Sequence, residues 1–393
     1  MGINLYHQVG HCSNWNIESY TQDSTGDGLI FSPVHQSATQ IGSIASEIKS
    51  ESFLDPQYYL PSSQKKKLHT YDFFPELISS GFDTMDFANF ARKSAEECIK
   101  FQLENDFDRI IIPARYFDQM LPNYTESQEV YTVKPFLEVI EKLSVSKPIF
   151  ITLPLTSHMI LNEAYRIHLL NWITTFPEID GVYLFSSNER KTKQITDENY
   201  LFSYLEFCRE LKEAELELVI GYLNTEGLLF SLVEDITITM GAFENTRMFS
   251  LDKFLNSDDE RRGPKSRIYV PGLFNWIQFS QAKEIRSDYP QVWHSVYSNT
   301  QYGEAAFNAP TDPFFNQAGL YKDFFINYSN QVTNLGELGL KDRYNTLRSQ
   351  LNEANAKYSE IAVGIDLELH GRGDHIQPWL NVINKYARRY ING

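Results

Sequence analysis

Residues 215–250, ELELVIGYLNTEGLLFSLVEDITITMGAFENTRMFS, hold two apolar runs that each stop in a polar cluster. The run 216–222 ends at Asn224, Thr225 and Glu226, and the run 236–240 ends at Glu244, Asn245 and Arg247. An uninterrupted apolar run is what a strand covered on both faces requires, and parallel sheets are covered that way because crossover helices lie on them. Both polar clusters then stand at one edge of the sheet, the carboxyl ends of the strands, where ligands bind in parallel α/β folds.

Outward from this stretch the same unit recurs. Strands are expected at 28–31, 52–54, 83–87, 109–113, 148–153 and 181–185, and helices at 38–49, 88–104, 134–143, 162–175 and 199–214. Eight strand-then-helix units without a strong hairpin signal predict an α/β fold closed as a (β/α)8 TIM-type barrel over residues 28–255. Residues 1–27 read as a strand-and-turn extension. An open doubly wound sheet is the alternative, and no GxGxxG follows the first unit to support it. Beyond 255 the spacing predicts helices at 276–286, 312–332, 340–369 and 378–390, with an irregular loop at 298–313. With no Gly/Ser linker before it, region 256–393 is expected to pack on the barrel as a mostly helical appendage.

The chain has 393 residues and a formal net charge of −16, which argues against an extended nucleic-acid surface, because such affinity rests on Lys and Arg neutralising phosphates. The basic stretch 261–267, RRGPKSR, reads as a solvated Gly-Pro loop. Cys12, Cys98 and Cys208 have no CxxC spacing and read as reduced thiols, so a cytoplasmic location is expected. No apolar run approaches the roughly 20 residues of a membrane span, and no membrane association is expected.

Residues just past the strand ends are the site candidates. Asp55 and Glu226 each follow an apolar run and sit beside Pro56 or Gly227, which fix the direction of the carboxylate. With Glu244 they form a catalytic set able to divide acid, base and nucleophile roles, if their surroundings separate their pKa values. The alternative is that Asp55 and Glu226 cap local turns. Gly241, Asn245 and Arg247 have the residue types of a strand 7/8 anion site, in which glycine permits close approach and arginine grips bidentately; a Glu244–Arg247 pair across one turn is the competing reading. His35, Tyr58, Asp86, Arg115, Asn188, Tyr222 and Asn224 complete the expected ligand-binding rim. His7, His11 and Cys12 lie on a strand and turn, and Asp366, Glu368, His370, Asp374 and His375 read as a solvated helix end. No metal or cofactor is therefore expected.

The leading functional expectation is a hydrolase or glycosyl-transferring enzyme acting on a glycosidic or N-glycosidic bond of a sugar- or nucleoside-type substrate. Strand 4 ends in Pro113, Ala114 and Arg115, where many retaining barrel glycosidases carry a carboxylate. One alternative is a barrel holding a phosphorylated ligand, nucleotide or flavin at the strand 7/8 loops. Another is a non-catalytic scaffold that meets a protein partner through its C-terminal region.

Overall fold

The computed structural model describes residues 2–75, 84–190, 192–256 and 263–392, with 84–89 described by backbone alone. Its main sheet has eight parallel strands: β1 (Ile3–Gln8), β2 (Gly28–Phe31), β3 (Phe53–Leu54), β4 (Ile110–Ile112), β5 (Ile149–Thr156), β6 (Gly181–Ser187), β7 (Glu217–Ile220) and β8 (Ile236–Gly241). The spatial order is β3-β2-β1-β8-β7-β6-β5-β4. The two outer strands have no ladder between them but are bridged by the hydrogen bond from Asp108 N to Ser52 O (2.9 Å), so the sheet curls into a nearly closed (β/α)8 barrel.

Eight strands were expected, but two of the assignments differ. The strand expected at 83–87 falls partly outside the described residues, and its remainder belongs to the helix Thr84–Glu104. The apolar positions at 87, 91, 95, 98 and 99 keep helical spacing through that stretch, and a short apparent alternation at its start masked this. The missing strand is supplied by Ile3–Gln8, expected to lie outside the barrel, which pairs with β8 over six residues and with β2 over three. Asp55 therefore follows the third strand.

Aromatic rings fill the barrel. Tyr6, Phe53, Tyr183 and Phe185 stack inward from β1, β3 and β6, with Phe53 and Tyr183 edge-to-face at 5.4 Å. The Tyr183 hydroxyl crosses to Gln8 Oε1 (3.2 Å) on a strand that does not neighbour its own. Layers of side chains, not a channel, are the normal content of such a barrel.

After β8 the chain forms an antiparallel hairpin, β9 (Arg267–Val270) with β10 (Asn275–Gln278), then helices Phe279–Asp288, Pro290–Val296, Gln301–Asn308, Ala318–Gly336, Leu340–Ile361 and Ile376–Tyr390. The helix expected at 276–286 thus begins with a strand, and the expected loop at 298–313 contains a helix. The helix expected to reach 369 stops at Ile361, where Gly364 and Ile365 donate to the Ile361 carbonyl and turn the chain out. The helices dock on the barrel's side: Phe325 meets His7 edge-to-face at 4.7 Å, and Trp379 Nε1 donates to Ile195 O (2.8 Å). Among the described residues no helix is long and apolar enough to cross a membrane.

Candidate functional site

Two polar arrangements occupy the strand-exit end of the barrel. The first lies on the axis. Asp55, fully buried, accepts from Tyr59 Oη (2.6 Å) and Gln57 N (3.1 Å) at Oδ1 and from Tyr222 Oη (3.3 Å) at Oδ2. Lys253 Nζ donates to the Tyr222 hydroxyl (2.6 Å) and lies 3.9 Å from the centre of that ring, with Phe249 and Phe254 at 5.4 and 5.2 Å. Burial pushes the Asp55 carboxyl up to about 6 against these hydrogen bonds, and burial pushes the Lys253 ammonium down to about 7 against the Asp55 charge. Gln57 and Tyr222 both adopt left-handed backbone, φ +59° and +55°, a strain that persists only where the surroundings hold it. Phe249 packs on Tyr59, Tyr116, Phe185 and Tyr222 and so roofs the axis. The place where an axial substrate would sit is filled by protein.

The second arrangement is an open cleft off the axis, over the exits of β6 to β8 and under the C-terminal region. A cavity of about 310 Å³ is lined by Asn188, Arg190, Lys193, Asn224, Met248 and His370, among others. An adjoining one of about 380 Å³ is lined by His11, Phe243, Asn245, Lys265, Phe315 and Tyr321, among others. Lys193, Glu244, Arg247 and Trp276 line both, which makes them one cleft with two lobes. Both volumes fall in the range of small-molecule sites.

Cations dominate the walls, and most are already paired. Arg190 Nη2 holds Glu226 Oε1 at 3.1 Å, Arg267 Nη2 holds Glu368 Oε1 at 2.5 Å, and Lys193 contacts the Glu244 carboxylate. Burial and the Arg267 and Arg247 guanidiniums push the Lys193 ammonium down to about 7, against the Glu368 charge. Arg247 differs from the other cations. It is 7% exposed, its Nε and Nη1 have no hydrogen-bond partner, and among the described residues no carboxylate lies at ion-pair distance. Its guanidinium stacks 4.1 Å from the Trp276 ring, which leaves its in-plane donors unused, and burial lowers its pKa to about 10. Trp276 Nε1 is likewise a buried donor without a partner, and Asn224 Oδ1 and Asn245 Oδ1 are buried acceptors without one.

The expected residues divide accordingly. Asn188, Asn224, Glu244, Asn245 and Arg247 meet in the cleft. Glu244 pairs with Lys193 and not with Arg247, so the competing reading of a pair across one turn does not hold. Glu226 lies fully buried behind the cleft, on Arg190 and Asn224 N, with Oε2 unpartnered. Asp55 and Tyr222 belong to the axial cluster, so Asp55 and Glu226 share no partner and neither lines the cleft. His35 stands beside that cluster, its pKa lowered to about 3 by burial and then by Lys253, with Nε2 buried and unpartnered.

Three expected ligand contacts have structural work instead. The Tyr58 hydroxyl donates to Phe73 O (2.7 Å) and meets Ser94 Oγ (2.7 Å) inside the core. Arg115 stacks on Tyr131 at 4.3 Å, away from the cleft. Gly241 is required by packing: an added Cβ would lie 2.3 Å from Thr246 Oγ1 and 2.7 Å from Thr246 O. The Asp86 side chain lies outside the described residues. No three His, Cys, Asp or Glu side chains group as metal ligands among the described residues.

Arg190, Lys193, Lys253, Arg267, Trp276 and His370 were not among the expected site residues. The run Asn188-Glu189-Arg190, directly past β6, carried a usable signal. Arg267 and Trp276 come from the hairpin beyond the barrel, and only its docking brings them to the cleft. Of the 261–267 stretch read as a solvated loop, 261 and 262 lie outside the described residues, and the rest delivers Lys265 and Arg267 to the second lobe.

No protein-family profile matches the sequence, and comparison with curated proteins gives no match. Among solved structures, the chain is similar to YagE, a prophage protein of the dihydrodipicolinic acid synthase family from E. coli K12, whose structure is a complex with pyruvate. Identity is 11%, with 98% of this chain and 97% of that one covered, at a TM-score of 0.31. A likeness of that size carries no argument, and the barrel assignment rests on the sheet itself.

Proposed function

We propose that this barrel binds a small phosphorylated molecule in the off-axis cleft, with Arg247 as the central anion contact and Arg190, Lys193, Arg267 and Trp276 Nε1 around it. The observation that carries the reading is Arg247, a buried guanidinium whose Nε and Nη1 have no hydrogen-bond partner and which has no carboxylate at ion-pair distance among the described residues. An uncompensated buried charge costs several kcal/mol. A phosphate oxygen pair matches the donor fork of a guanidinium, and charge-assisted hydrogen bonds of that kind are about twice as strong as neutral ones. A ligand that supplies those oxygens offsets the desolvation already incurred in the folded protein. Three of the four cations are held by carboxylates, so in a chain of net charge −16 Arg247 supplies the cleft's uncompensated positive charge among the described residues.

The glycosidic-bond reading has less support. Its carboxylate pair, Asp55 and Glu226, is split between a roofed axial cluster and an ion pair behind the cleft. Glu244 is the remaining carboxylate of the expected set at the ligand's position, and it is in contact with Lys193.

The test is calorimetric titration and thermal shift with inorganic phosphate and phosphorylated sugars, on the unmodified chain and on Arg247→Ala and Arg247→Lys. Binding to the unmodified chain, weakened at least tenfold by Arg247→Ala and only partly restored by Arg247→Lys, is expected. If no phosphorylated compound binds at millimolar concentration, the reading is wrong. A stable protein complex recovered under the same conditions would then favour the scaffold alternative.

A further inference from the structure

Beside the anion contacts, the second lobe of the cleft has a wall that phosphate alone does not explain. Phe243, Phe315 and Tyr321 line it with Trp276, and Trp15 stacks behind Tyr321 (5.3 Å between centroids, 17° between planes). Phe243 packs against both, at 5.5 Å from Trp15 and 5.0 Å from Tyr321, so the rings form a braced surface. Phe243 and Phe315 remain half-buried, with ring surface left towards the lobe. Asn245 lines the same lobe, and its Oδ1 is a buried acceptor without a partner. An anion contact and an aromatic wall are thus set in one cavity of about 380 Å³, and a residue lining it carries a buried acceptor without a partner.

Resting on the phosphate reading above, we propose that the ligand is a nucleoside 5′-monophosphate or a nucleotide-like part of a larger molecule. Its phosphate meets Arg247 at the junction of the lobes, and its base lies against Phe243 and Phe315 in the second lobe. Every nucleobase has a π-face that stacks on aromatic side chains, and adenine, cytosine and guanine each carry an exocyclic amine that can donate to Asn245 Oδ1. The first lobe, with Asn224 Oδ1 as a second unpartnered acceptor, leaves room for a further group attached to the phosphate. A nucleobase covers a flat aromatic wall more fully than a sugar ring does.

The test compares ribose 5-phosphate with AMP, GMP, CMP and UMP by isothermal titration, on the unmodified chain, Phe243→Leu and Asn245→Ala, each first shown by thermal melting to be folded. At least one nucleotide should bind tenfold or more tightly than ribose 5-phosphate. Phe243→Leu should shrink that preference to threefold or less while leaving ribose 5-phosphate affinity unchanged, and Asn245→Ala should weaken the amine-bearing nucleotides more than UMP. If ribose 5-phosphate binds and no nucleotide binds more tightly, the nucleotide inference is overturned and the phosphate reading stands. A nucleotide preference that survives in both variants also overturns it, because the base then lies elsewhere. If neither ribose 5-phosphate nor any nucleotide binds at millimolar concentration, the nucleotide inference is overturned, and the phosphate reading falls with it when inorganic phosphate also fails to bind.

Discussion

Arg247 and Asp55 are both buried ionisable groups, and their partners set them apart. Asp55 has three hydrogen-bond donors and a nearby ammonium, whereas Arg247 has a ring face and two nitrogens, Nε and Nη1, without a partner. Removing the charge from Arg247 should therefore stabilise the ligand-free protein. Arg247→Met keeps much of the stem's volume, and urea denaturation without ligand should find it more stable by about 1 kcal/mol, with phosphate binding lost. A loss of stability would mean that the stack on Trp276 outweighs the cost of burying the charge. For Asp55, the folded-state pKa of about 6 lies above the ordinary 3.8, so the folded protein holds the extra proton between those values. Its contribution to stability is present below pH 3.8 and is lost as pH rises through 6. Asp55→Asn should remove that proton, so between pH 4 and 6.5 the unmodified chain should lose stability relative to the variant. Parallel pH profiles for the two proteins would place the proton elsewhere.

At the scale of elements, the site depends on how the last barrel strand meets the turn that carries Arg247. Two glycines embrace Thr246: an added Cβ on Gly241 at the end of β8 would lie 2.3 Å from Thr246 Oγ1, and one on Gly10, just after β1, would lie 2.6 Å from Thr246 Cγ2. Thr246 Oγ1 in turn donates to Phe243 O (2.7 Å), tying the turn to the aromatic wall. Gly241→Ala should displace the turn and cost about 1–3 kcal/mol in a denaturation measurement. It should also abolish phosphate binding without altering any ligand contact directly. A variant that is destabilised but binds normally would show that the turn can shift as a unit with Arg247 still in place. The spacing of glycine and arginine was legible in the sequence, but the reason for the glycine was misjudged, because the contact that requires it is made within the protein and not with a ligand.

For the whole molecule, barrel and C-terminal region share one apolar core. The Arg343 guanidinium, 1% exposed, donates to the carbonyls of Leu335, Leu338, Gly336 and Ser231, the last on the barrel side. Trp379, fully buried, reaches Ile195 O. Calorimetric unfolding should therefore show one cooperative transition, and Trp379→Ala should cost about 3–5 kcal/mol of it. Two separate transitions would mean that the barrel folds alone.

The sequence by itself determined the class of fold and the end at which the candidate cleft lies, because buried parallel strands write their pattern locally as apolar runs that stop in polar clusters. It also placed Asn188, Asn224, Glu244, Asn245 and Arg247 at that end. Which strand opens the barrel was decided only in three dimensions. Ile3–Gln8 shows its role through pairing with β8, more than two hundred residues away, and a pairing at that separation leaves no periodicity to read. The separation of Asp55 from Glu226 was decided there too, since Phe249 and Lys253 roof the axis from a segment beyond the eighth strand. So was the cleft itself, whose Trp276 and Arg267 come from a hairpin docked by burial against the Ala318–Gly336 helix. Local chemistry chose the residues, and long-range packing chose which of them meet.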